Sequence, residues 1–110
     1  MIGWAPVKLA RPGFSLGHEM IARSVIVQGH VQGVWFRDWT VQAARAIGVS
    51  GWVRNRADGA VEVYVVGEGD LVERLIDRLR EGPPASRVDR IDVREAELQP
   101  VDGFTRRRDA

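Results

Sequence analysis

The sequence contains no cysteine. Disulfide staples, thiolate metal sites and a cysteine nucleophile are therefore excluded, and a reducing compartment is permitted without being required. Histidine is scarce: His30 has only His18 for company, so no metal site is expected. Long apolar runs are missing as well, and none approaches the ~20 residues of a membrane-spanning helix. A surplus of either charge is also absent. Sixteen Lys and Arg stand against fifteen Asp and Glu, a net charge of +1, which gives no bulk attraction to nucleic acid or to an anionic membrane. Glu19, Asp38 and Glu62 show no spacing that argues for a pair of catalytic carboxylates.

What is present fits one small globular domain. With 110 residues, 45% of them apolar and 28% charged, the chain can bury a core but holds little stability in reserve. Residues 1–19 lack a basic start, an uninterrupted apolar segment and a small-residue cleavage pattern. Pro6, Pro12, Gly13 and Gly17 interrupt them. They are expected to form a flexible N-terminal extension, with the folded domain over residues 20–110.

From residue 22 onward the elements alternate. Residues 23–29 read as a buried strand, with Val25, Ile26 and Val27 closed by Gly29. After a loop, residues 36–48 read as a helix with Phe36, Thr40, Ala43 and Ile47 on one face and Gly48 as its stop. Residues 49–55 form a second strand, and Asp58-Gly59 signals a hairpin. In the third strand Val61, Val63 and Val65 share one face and Glu62 and Tyr64 the other, predicting one buried face and one facing outward. A second helix follows, with Asp70 as the expected cap, Glu73 three residues on, and Val72, Leu75, Ile76 and Leu79 as its apolar stripe. Residues 87–96 supply a fourth strand, and residues 103–108 add a short fifth. The order βαββαβ predicts an α+β, ferredoxin-like sandwich: an antiparallel sheet with two helices on one face.

The loop of residues 29–37, GHVQGVWFR, joins the first strand to the first helix. Such a loop presents unpaired backbone N–H groups beside the positive end of a helix. Glycines let successive amides turn inward and form a nest for an anion, and Arg37 adds a planar, permanently charged fork that matches phosphate oxygens. On spacing alone, a tight turn followed by a solvated arginine is the favoured reading. The loop fits neither the dinucleotide pattern nor the Walker pattern.

Four blocks in order carry a resemblance. They are Val27, Gly29, Val31, Gln32, Gly33, Val34, Phe36 and Arg37, followed by Thr40; then Gly51, Trp52, Val53 and Asn55; then Asp58, Gly59, Val61 and Glu62; and last Ser86, Arg87, Val88 and Asp89. This pattern, spread over about residues 23–107, resembles the acylphosphatase family. The resemblance implies metal-independent hydrolysis of acyl phosphates to a carboxylate and inorganic phosphate, with no cofactor. It implies that the backbone of His30, Val31, Gln32, Gly33, Val34, Trp35 and Phe36 cradles the phosphate and that Arg37 clamps it. It further implies that Asn55 positions the attacking water while Gly29 and Thr40 support the site. Inorganic phosphate is then both product and competitive inhibitor, and the enzyme is a cytoplasmic monomer without nucleic-acid or membrane partners.

Plainer readings stand beside these. His30 reads as a solvent-facing loop histidine near the phosphate, and Trp35, Trp39 and Trp52 as packing around the first helix and second strand. Arg106, Arg107 and Arg108 read as the solvated, fraying end of an edge strand. Two rival functions are an RNA-binding ferredoxin-like module, which needs exposed aromatics on its central strands, and a non-catalytic phosphate-binding domain.

Overall fold

β-branched residues build the sheet, and the computed structural model describes it within residues 17–110. Of the extension expected over residues 1–19, residues 1–16 lie outside the described residues. The elements run β1 (Met20–His30), α1 (Phe36–Ile47), β2 (Ser50–Asn55), β3 (Val61–Glu68), α2 (Gly69–Glu81), β4 (Arg87–Glu95) and β5 (Phe104–Arg106). Strand order across the sheet is β4-β1-β3-β2-β5. The first four strands pair antiparallel, as the βαββαβ order predicts, whereas β5 lies parallel to β2 and makes the sheet mixed.

Register explains the core. Val93, Val25, Val63 and Val53 stand in one row across four strands. Val25, Val63 and Val53 are fully buried, facing the layer where Phe36, Ala43 and Ala44 of α1 meet Val72, Leu75 and Leu79 of α2. Each fully buried valine or leucine contributes about 1.5–3 kcal/mol, so this valine ladder is the main anchor of both helices. Arg45 Nε donates to the Phe104 carbonyl (3.1 Å), tying α1 to the short edge strand β5.

Gly48 ends α1 with its N–H on the Ala44 carbonyl (2.8 Å). The start of α2 departs from the expected side-chain cap. Asp70 lies within the first turn, and no side chain caps the helix. Main-chain carbonyls take that role instead: Gly69 N–H donates to Glu19 (2.9 Å) and Asp70 N–H to Gly17 (3.0 Å). The helix's orphan donors are thereby tied to the segment just ahead of β1.

The other face of the sheet corrects a second expectation. Tyr64 does not face outward; it is buried with Ala22 and Val66, and Trp52, Ala96 and Val101 pack against them. The segment of residues 96–101 crosses this face because the Tyr64 hydroxyl holds it through two bonds. The O–H donates to the Glu97 carbonyl (2.7 Å) and accepts from the Gln99 N–H (2.8 Å). Trp52 stacks on Tyr64 with centroids 6.1 Å apart.

Replacing Tyr64 by Phe keeps the ring and removes both bonds. The expected cost is about 1–2 kcal/mol in urea unfolding, with faster amide exchange at Gln99 and unchanged exchange at Val25. Equal protection of Gln99 in both proteins would refute the strap.

Candidate functional site

The site begins with a fault in the sheet. Between Gln28 and Gly29 the pairing of β1 with β4 shifts register, an irregularity of the kind that bends a strand locally. Gly29 is obligatory there: a Cβ would lie 2.1 Å from the Arg87 carbonyl oxygen and 2.8 Å from the Asp89 nitrogen. His30 closes the strand opposite Arg87 and is exposed.

Beyond the strand the loop is pinned by its apolar side chains. Val31 and Val34 are buried in the main core, while Gly33 turns at φ 75° and Trp35 at φ 67°. Trp35 is the only non-glycine at positive φ among the described residues, a conformation that strains a bulky side chain. Trp35 is 77% exposed, so the packing role expected of it is wrong. Trp39 and Trp52 do pack: Trp39 meets Phe36 edge-on at 5.5 Å, and Trp52 lies against Tyr64.

Gln32 fixes the loop from the side. Its Nε2 donates to the Arg56 carbonyl (2.8 Å) and to the Ala60 carbonyl (2.9 Å), bridging to the hairpin after β2. That hairpin is closed in turn by the Arg56 N–H on the Ala60 carbonyl (2.9 Å) and by the Ala60 N–H on Asp58 Oδ1 (3.0 Å). The latter bond holds the Asp58 carboxyl below its ordinary value; partial desolvation opposes the shift and the Arg56 charge assists it. One side chain thus sets the loop against the strand end that carries Asn55.

Within the first turns of α1, Thr40 is fully buried and its Oγ1 donates back to the Phe36 carbonyl (2.8 Å). Among the described residues, no hydrogen bond takes up the backbone N–H groups of residues 32–38. Seven successive main-chain donors therefore stand free around a helix N-terminus.

These groups open onto a cavity of about 340 Å³ lined by Val31, Gly33, Trp35, Phe36, Arg37, Asp38, Asn55 and Arg106. Arg37, from α1, and Asn55, from the end of β2, are brought together there as the motif implies. Asn55 is 8% exposed, and its buried Oδ1 has no hydrogen-bond partner among the described residues. Buried acceptors are normally satisfied, so this one is suited to hold a water or a ligand group. The side chains of His30, Gln32 and Val34 stay off the cavity wall.

Sequence reasoning missed two lining residues. Arg106 comes from β5 and its Nη1 donates to Asp38 Oδ1 (2.8 Å), a pairing across 68 positions that no local spacing signals. The segment after β5 does not fray. Arg107 N–H donates to the Val53 carbonyl (2.8 Å) and Ala110 N–H to the Asn55 carbonyl (2.9 Å), and the Arg107 guanidinium lies 4.4 Å from the centre of the Trp52 ring. No group of three or more metal-ligating side chains occurs among the described residues.

Comparison with known proteins agrees with this fold. The acylphosphatase family model matches residues 23–106. An acylphosphatase of Rhizorhabdus wittichii is 54% identical over 89 residues, covering 81% of this chain and 90% of that protein. One from Acidovorax sp. is 48% identical over 87 residues, covering 79% and 90%. Among solved structures, an acylphosphatase from Coxiella burnetii superposes with a TM-score of 0.77 at 34% identity, covering 80% of this chain and 93% of that one. Full-length HypF in its phosphate- and nucleotide-bound form also matches, with a TM-score of 0.76 at 31% identity, over 83% of this chain but 12% of that one. Since the family match runs from β1 into β5 and takes in both the loop and Asn55, the chain belongs to the acylphosphatase family.

Proposed function

We propose that the free amides of residues 32–38 and the Arg37 guanidinium bind the phosphoryl group of an acyl phosphate, and that the Asn55 carboxamide aligns the water that attacks it. The overall reaction is that of the family: a carboxylic–phosphoric anhydride and water give a carboxylate and inorganic phosphate. The observation that carries the residue roles is the convergence of unpartnered main-chain donors, Arg37 and an unsatisfied Asn55 Oδ1 on one cavity.

The chemistry asks little more. The carboxylate of an acyl phosphate is a good leaving group, so neither a strong acid nor a covalent nucleophile is required. The water oxygen bonds to phosphorus while the bond from phosphorus to the acyl oxygen breaks, its electron pair leaving with the carboxylate. The water's proton passes to a phosphoryl oxygen of the substrate, because Asp38, the carboxylate on the cavity wall, is engaged by Arg106. Catalysis is then positioning and electrostatics. A carboxamide at position 55 fits this role, since it accepts and donates hydrogen bonds without setting a negative charge against phosphate. Thr40, bonded to the Phe36 carbonyl, steadies the first turn from behind, and Gly29 admits the irregularity at the strand end.

The reading extends to a monomer in the cytoplasm that uses no cofactor and binds no nucleic acid, with residues 20–110 as the working domain. A net charge of +1 and the burial of Tyr64 under residues 96–101 argue against an RNA-binding sheet face. A phosphate-binding domain without turnover is the second reading, favoured by the likeness to a small part of HypF. Hydrolysis of benzoyl phosphate by the purified protein in the presence of a chelator separates the two.

Arg37→Ala is expected to abolish that hydrolysis with an unchanged circular dichroism spectrum, and Arg37→Lys to impair it strongly, since a point charge does not replace a two-pronged fork. Near-full activity in Arg37→Ala rules out the clamp. Asn55→Ala is expected to lower kcat by about 10²–10³ while inorganic phosphate still inhibits; loss of that inhibition contradicts the division of roles. Gln32→Leu removes two hydrogen bonds to the Arg56 and Ala60 carbonyls, each of which keeps a backbone partner, and is expected to destabilise by about 1–3 kcal/mol and to raise KM. An unaltered KM with unaltered stability would show that the bridge does not hold the loop.

A further inference from the structure

The segment after β5 returns to Arg37, a residue of the cavity wall, and brings an acid with it. Its main chain is hydrogen-bonded to β2 at Val53 and at Asn55 itself, and Arg107 is laid over Trp52. Between these two anchors, Asp109 Oδ1 accepts from Arg37 Nη1 at 2.8 Å. A carboxylate and a phosphoryl group ask the same thing of a guanidinium fork. Asp109 therefore occupies a donor that the proposed mechanism assigns to substrate.

We propose that Asp109 is a resident competitor for Arg37, displaced when the phosphoryl group binds and restored as product phosphate leaves. The proposal rests on Arg37 being the phosphate clamp. The Arg37 side chain is 25% exposed and that of Asp109 59% exposed, so the pair is solvent-screened and weak, good for about 2–5-fold in an equilibrium constant. The phosphoryl group offers more than one oxygen and also meets the loop amides, which Asp109 does not touch. It wins the exchange, but at an affinity lowered by the contact it displaces.

The backbone anchors make the competitor effectively intramolecular: Asp109 is always at hand, whatever the protein concentration. Because substrate and product phosphate each displace it, Asp109 opposes both to the same degree. It acts as a uniform binding penalty that raises KM and the phosphate inhibition constant together. An acid that instead oriented Arg37 for catalysis would act with the opposite sign, since removing it would loosen the clamp.

The sign is measurable by titrating wild type, Asp109→Asn, Asp109→Ala and Arg37→Ala with inorganic phosphate in a calorimeter, and by following benzoyl phosphate hydrolysis. Asp109→Ala is expected to bind phosphate about 2–5-fold tighter with a matching fall in KM and no loss of kcat. Asp109→Asn, which removes the charge but keeps an acceptor, is expected to lie between. Phosphate affinity that stays the same or weakens in Asp109→Ala, or a kcat that falls, overturns the competitor. If Arg37→Ala binds phosphate as tightly as wild type, the clamp itself fails and the competitor with it. If Arg37→Ala loses phosphate while Asp109→Ala gains nothing, the clamp stands and only the competitor falls.

Discussion

A run of main-chain N–H groups with nothing to bond is the constraint around which this fold is organised. Among the described residues nothing bonds the donors of residues 32–38, and open donors are tolerable only where water or a ligand can reach them. Their curvature is set by features that bear no charge. A register shift at Gly29 interrupts the strand pairing, two buried valines sink the loop into the core, and Trp35 accepts a left-handed backbone to enter α1. The valine ladder supplies the rigidity that keeps such a loop from relaxing into internal hydrogen bonds. Preorganisation of this kind gives dipoles their catalytic value, because nothing has to reorient when charge arrives.

The second strand couples that loop to Asn55, the residue proposed to align the water. Asn55 ends β2, yet its place relative to the amides is governed by Gln32, whose one carboxamide nitrogen bridges both sides of the following hairpin. The proposed phosphate capture and water alignment would therefore share a mechanical link. Gln32 belongs to the proposed cradle by its main chain and to the scaffold by its side chain, a distinction the motif alone does not draw.

Most of the fold was legible because each element carries its own punctuation. Val25, Ile26 and Val27 announce β1, Gly48 stops α1, Asp58-Gly59 turns the hairpin, and the stripe from Val72 to Leu79 faces the core. What escaped was non-local. Asp70 has the look of a cap, but Gly17 and Glu19 supply the carbonyls from a segment far away in sequence. Tyr64 alternates like an exposed residue until residues 96–101 cover it. Three residues of β5 are too few to reveal a parallel pairing with β2. In the site, the glycines, Arg37 and Asn55 were readable from one contiguous loop and one strand end, and the family resemblance gave them roles. Asp38 with Arg106, and Arg37 with Asp109, join positions 68 and 72 apart, and only the closed sheet brings them together.

Those two pairs bear on how the site attracts an anion. Each guanidinium at the cavity carries a carboxylate partner at 2.8 Å, so the side chains around it come close to charge balance. Positive potential at the site then comes mainly from the helix end and the free amides, which are short-ranged and directional. Such a site gains little from long-range steering and much from shape: an anion is held well only when its oxygens reach several amides at once. A tetrahedral phosphoryl group meets that demand, whereas a planar carboxylate reaches only some of them. Pairing the arginines with acids thus shifts the proposed recognition of phosphate from charge toward geometry.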